Sequence, residues 1–243
     1  MRAPVLRALA AALSNPAAAC RLLAEEPRPA ALGLLLAVAV TAVGSATIPR
    51  QLDLLERALA PGGDMLRDSH LAAMQAGLLR LIVVDRLIPP PTLVLAGLLL
   101  VIAADPVLAV SETRRRVLIA FAIAGLAPLL VQRLGEVVVA YLSVPPAHPR
   151  PGDPIALPQR FATGAALLWW GDTPPPPWLL AVNTRFSLFA AWCVGIWSVG
   201  LRQLDGNRRS GWHVGLPACC VALAAMVTYW LRSLATALVL GTP

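Results

Sequence analysis

Few groups in this chain can do chemistry, and the most telling are charges set inside apolar sequence. Arg133 and Glu136 stand one helical turn apart within the run from Val117 to Leu142, with Gln132 beside them, and Arg232 lies far along the run 214–240. At ~1.5 Å per residue from the arginine-rich end of each run, Arg133 falls about 24 Å in and Arg232 about 27 Å in. Arg185 opens the run 186–201 from the opposite side, so all three arginines fall at one level. Charge is expensive in hydrocarbon, and the spacing predicts that Arg133 pairs with Glu136. Two readings of the cluster follow: an outer-leaflet site for an anionic headgroup or partner, or arginines snorkelling to lipid phosphates. Catalysis finds little material. His70, His148 and His213 fall in connections or at a helix edge, which leaves no imidazole within an apolar run as a base or metal ligand. Cys20, Cys193, Cys219 and Cys220 form no spaced ligand set with histidine and read as packing residues. Glycine-rich phosphate loops are absent, and Pro61-Gly62-Gly63-Asp64 reads as a turn. The expectation is a protein with no catalytic residue, metal or cofactor.

The elements that must hold these groups are apolar helices. Hydrophobic residues make up 58% of the chain and the mean hydropathy is +0.70, values that point to lipid as the solvent. The sequence predicts an all-α membrane protein with five transmembrane helices, at about 30–48, 92–110, 117–142, 186–201 and 214–240. Residues 1–29 read as short cytoplasmic surface helices: Leu6, Leu9 and Leu13 share a face, and Asn15-Pro16 marks a fresh helix start that Pro27 closes. With Glu25-Glu26 ahead of any long apolar stretch, no cleavable leader is expected and the first span doubles as the targeting signal.

Every basic residue is arginine, and the formal net charge is +7. In a soluble protein that balance would suggest nucleic acid; here the arginines flank apolar runs, where they orient helices and touch anionic headgroups, and no nucleic-acid partner is expected. Assigning Arg2, Arg7, Arg21, Arg28, Arg114, Arg115, Arg116, Arg202, Arg208 and Arg209 to the cytoplasm places the N-terminus inside and the C-terminus outside. Two extracytoplasmic loops result, 49–91 and 143–184, and the apolar segment 77–88 of the first could lie in the interface or dip into it. The second loop carries Trp169, Trp170 and Trp178 around Pro174–Pro177. Such a cluster suits the outer headgroup layer, as an aromatic belt or as a contact platform for lipid or partner.

Two stripes of small residues predict where helices approach closely. Gly33, Ala37, Thr41 and Ser45 recur every fourth residue in the first span, and Ala191 and Gly195 form a small-xxx-small pair in the fourth. Both faces are expected to be buried, one against the other.

Two segments together resemble a known family. Asn15-Pro16-Ala17-Ala18-Ala19-Cys20-Arg21-Leu22-Leu23 with Pro27, and Asn183-Thr184-Arg185-Phe186-Ser187-Leu188-Phe189-Ala190-Ala191-Trp192 leading to Gly200-Leu201, resemble the bacterial branch of the Yip (Ypt/Rab-interacting) family of five-span membrane proteins. The resemblance covers about a fifth of the chain and implies an integral membrane protein with no catalytic role. The chain lacks the acidic cytosolic tail and the Asp-Leu-Tyr-Gly-Pro-like motif of eukaryotic members, so their GTPase partnership does not carry over. The leading expectation is a non-catalytic adaptor or accessory subunit in the bacterial inner membrane, in contact with lipids and with another membrane protein such as an ABC-type exporter. The alternative is a lipid-binding or small-solute transport protein using the outer-leaflet arginines; an intramembrane enzyme ranks last.

Overall fold

Prolines and caps divide the chain into helices. The computed structural model describes residues 3–25, 27–59, 76, 89–108, 111–142, 187–206 and 210–240, and these form helices and the turns between them, with no strand. In chain order the helices are α1 (Ala3–Ser14), α2 (Pro16–Glu25), α3 (Pro29–Ser45), α4 (Ile48–Leu59), α5 (Pro89–Leu108), α6 (Glu112–Ala124), α7 (Ala127–Leu142), α8 (Leu188–Leu204) and α9 (Trp212–Leu240). Asn15 starts α2 as its position predicts: its side-chain oxygen accepts from the Ala18 N–H at 3.1 Å, while Pro16 takes the first helical position, where no N–H is needed. Ser187 does the same for α8, accepting from the Ala190 N–H at 3.3 Å. At the far end of α8, Gly206 adopts φ +66, a left-handed stop that a side chain would strain.

All five predicted apolar runs lie on helices, but three described segments, not five, are long and apolar enough to cross a membrane: Pro29–Leu54, Glu112–Leu142 and Trp212–Leu231. The second and fourth runs supply shorter apolar helices, Leu95–Leu108 and Leu188–Leu204. Asp205 and Gly206 end the second of these. The expected loop 49–91 begins instead as α4. Pro49 fits the first turn of a helix, and Asp53 then ties that helix together by pairing with Arg50 at 3.1 Å and Arg57 at 2.9 Å. Residues 77–88 and the loop 143–184 lie outside the described residues.

Two of the long segments bend at equivalent breaks. In α3–α4 the turn is Ala46-Thr47 and the proline is Pro49; in α6–α7 the turn is Gly125-Leu126 and the proline is Pro128. A proline cannot donate to the carbonyl four residues back, so each break tightens into three-residue bonds: Ala46 N–H to the Val43 carbonyl and Leu126 N–H to the Ile123 carbonyl. Carbonyls released by the bends find side-chain donors. Thr47 Oγ1 donates to Gly44 at 3.0 Å, the Tyr141 hydroxyl reaches Ala46 at 2.9 Å from α7, and the Trp197 indole reaches Ala122 at 2.9 Å from α8.

The main core cluster holds Phe121, Ile196 and Trp197, and into it α3, α5 and α9 send Leu32, Leu36, Leu100 and Cys220; Leu54 and Ala140 form a small second one. The N-terminal helices belong to it. Val5, Ala8, Ala12, Ala19, Cys20 and Leu23 are all buried there, and α2 packs against α6 and α8, so α1 and α2 are bundle helices as well as an amphipathic leader to α3. Burial raises the Cys20 thiol above its ordinary pKa, because the thiolate would lose its hydration.

Candidate functional site

Helices α6 and α8 meet through two reciprocal contacts between a glycine and a ring. Trp197 is fully buried against Gly125, and the ring of Phe121 lies over Gly200. A methyl group at either glycine would overlap the facing ring, so both positions exclude a side chain. This crossing, and not the predicted stripes, is where glycines make room for large rings. The buried stripe of α3 is Leu32, Leu36, Val40 and Gly44, one residue out of register from Gly33, Ala37, Thr41 and Ser45. One residue is ~100° around a helix. Ala37 and Thr41 therefore face outward, Gly33 and Ser45 are half-buried, and Ala191 and Gly195 are exposed, with open space where a Gly195 side chain would lie. The expectation that these small faces pack on one another is corrected. Large leucines of α3 fill the space against α6 and α7, and Trp197 with Phe121 fills it for α8.

The charged pair forms as its spacing predicts. Arg133 Nη1 lies 2.6 Å from Glu136 Oε2, with side-chain exposures of 16% and 9%. Removal of both groups from solvent makes this contact matter, since a charge left alone at such a site has neither water nor a counter-ion. Ser187, the cap of α8, reaches the Gln132 amide oxygen at 3.5 Å, so the polar edge of α7 touches the start of α8. Because Glu136 neutralises Arg133, the pair holds α7 in place more readily than it would attract a free anion. Arg185, Trp169 and Trp170 lie outside the described residues. Arg232 lies on α9, but its side chain is not among the described ones; of the predicted outer cluster, the described residues show Arg133 and Glu136 together.

No family model, curated protein or solved structure matches the chain. Its functional reading therefore rests on its own residues.

Sequence reasoning passed over the connection between α8 and α9. His213, expected at a helix edge, is 3% exposed, and its Nε2 meets Asp205 Oδ2 at 3.0 Å across the turn. The Trp212 ring tilts against the imidazole with centroids 4.3 Å apart. The eight-residue separation of Asp205 and His213, with Gly206 and Gly211 between them, was the available signal: two helix ends joined by a tight glycine-containing turn put those side chains within reach. At the neighbouring ends of α5 and α6, Asp105 and Arg115 pair at 2.7 Å and bind the second and third apolar runs together. Among the described residues, no three of His, Cys, Asp and Glu gather as a metal site would require.

Proposed function

We propose that this chain is an integral protein of the bacterial inner membrane that crosses it five times, N-terminus cytoplasmic and C-terminus outside. In this reading it serves without catalysis as an adaptor or accessory subunit of a larger membrane complex, such as an exporter. One observation carries the proposal: the small-residue faces of α3 and α8, with Ala37, Thr41, Ala191 and Gly195, point away from the chain's own core. Lipid tails gain nothing from a small-residue face, whereas a second helix gains close backbone approach. Leu34, Val38, Leu188 and Val199 are exposed on the same helices, leaving broad apolar surface for lipid and partner. The window of α9 that could cross a membrane is only 18% buried, which also suits a helix with neighbours outside the chain.

The five-span count extends the three long apolar segments by the shorter helices α5 and α8. Arginine placement and the resemblance to the bacterial branch of the Yip family support that extension. Extraction of the full chain in mild detergent, affinity purification and mass spectrometry test the adaptor reading. One integral membrane partner at near-stoichiometric yield, lost when Ala37 and Ala191 are both replaced by leucine, is expected. A monodisperse single chain carrying only lipid would overturn it.

A further inference from the structure

A cavity of about 440 Å³ opens between the last turns of α8 and the first turn of α9, at the end of the bundle away from the Arg133–Glu136 pair. Its polar lining is Ser198, Arg202, Ser210, Gly211 and His213, and among the described residues no carboxylate lines it. Arg202 supplies the charge. Its Nε is buried and meets no acceptor among the described residues. A guanidinium only donates, so the ligand that Arg202 takes from the cavity is an oxygen acceptor. Asp205, the nearest acid in sequence, is engaged by His213 Nε2 at 3.0 Å and holds that ring in place. Ser198 donates to the Val194 carbonyl at 2.6 Å. The start of α9 adds the positive end of a 29-residue helix. Apolar Val199 and Val214 complete the walls, and both are exposed beyond the cavity, where an alkyl ester could continue.

We propose that this cavity is a binding site for a phosphate-bearing anion, with Arg202 as its principal ligand and His213, fixed by Asp205, as the second. Phosphate satisfies the requirement better than a carboxylate because a planar guanidinium can engage two of its oxygens while a third faces the helix start. The source is a phospholipid headgroup or a free phosphate ester, and the chemistry at Arg202 is the same for both. The site is independent of the adaptor reading and would stand if that reading fell.

The test uses the purified full chain in a neutral detergent. Thermal unfolding is followed during titration with inorganic phosphate and, separately, with mixed micelles containing phosphatidylglycerol or phosphatidylcholine. Saturable stabilisation is expected, weakened at least about tenfold by Arg202→Gln and largely unrestored by Arg202→Lys, which lacks the fork. Replacing the exposed Arg21 by Gln should leave it unchanged. Because Arg202→Gln could also disturb the helix end, Gly211→Asp serves as the second variant. A side chain at Gly211 meets no atom within 4 Å, so the fold should tolerate it while the new carboxylate repels the anion. Phosphatidylglycerol acting alone identifies the lipid headgroup; inorganic phosphate acting equally well identifies the free anion. Stabilisation that is absent, or undiminished in Arg202→Gln or in Gly211→Asp, overturns the proposal.

Discussion

The indole N–H of Trp197 donates to the carbonyl oxygen of Ala122 at 2.9 Å, and that carbonyl is available because the bend in the following turn has taken its helical partner away. Leu126 donates to Ile123 where a regular helix would have it donate to Ala122, so one tryptophan both fills the α6–α8 crossing and satisfies the bend. Trp197→Phe keeps most of the volume but leaves the carbonyl unpaired, and should cost about 1–3 kcal/mol. Gly200→Ala, which drives a methyl into the Phe121 ring, should cost a similar amount by overpacking. Thermal unfolding in detergent measures both, and an unshifted midpoint for either would remove this crossing as the organising contact.

The register of α3 makes a second prediction. Leu36 is buried and Ala37, its neighbour, is exposed. Leu36→Ala should lower the stability of the isolated chain by about 2–5 kcal/mol, whereas Ala37→Leu should change it by less than about 0.5 kcal/mol. The reverse order would restore the sequence-based expectation that the small stripe is the buried one.

Helix positions were legible because their signals are local. Asn15-Pro16, Pro27 and the apolar runs each act on the backbone within a few residues, and the Arg133–Glu136 pair needs only one turn. The facing of α3 was not legible, because Leu32, Leu34, Leu35, Leu36, Val38 and Val40 surround the helix and leave no polar side to orient it. The Trp197–Gly125 and Phe121–Gly200 contacts join residues more than seventy positions apart, and no periodicity within either helix announces its partner. The burial of His213 at its helix edge was not legible for a related reason. A histidine just ahead of an apolar run reads as an exposed helix edge, until Gly206 turns the chain and brings Asp205 to it.

The buried ion pair should behave as a unit. Glu136→Gln leaves Arg133 positive at a site where its side chain is 16% exposed, so it should destabilise more than Glu112→Gln, whose carboxylate is 71% exposed and lies 3.5 Å from Arg116. A double-mutant cycle with Arg133→Gln and Glu136→Gln, read as stability in lipid nanodiscs, should give a favourable coupling of about 1–3 kcal/mol. Zero coupling would mean that each group has its own partner, the arginine a lipid phosphate among them.

Cys20 offers a chemical check that α2 belongs to the bundle. Burial holds its thiol above the ordinary value of 9.0, so thiolate is scarcer than on an unfolded chain. With the other three cysteines replaced by alanine, iodoacetamide should modify Cys20 more slowly in the folded protein than in the SDS-denatured chain, from neutral pH to about pH 9. The stability linked to this group is fully present below the unfolded pKa. It declines as pH rises above that value, because the unfolded chain then ionises while the folded one does not. Equal alkylation rates in the two states would mean that α2 is detached from α6 and α8.

Orientation is tested at the α8–α9 turn, where the proposed topology places the chain in the cytoplasm. Gly206 is a poor position for the probe because its φ of +66 disfavours a side chain. Gln203, exposed in the last turn of α8, is better. In a chain whose native cysteines are replaced by alanine, Gln203→Cys should resist a membrane-impermeant maleimide added to intact cells and react once the inner membrane is opened. The arginine asymmetry makes the outcome decisive, since Arg114, Arg115 and Arg116 precede the third apolar run and Arg202 ends the fourth, on the side where positive charge is retained. Labelling in intact cells would place those four arginines outside and invert the topology, leaving the Arg133–Glu136 pair in the inner leaflet.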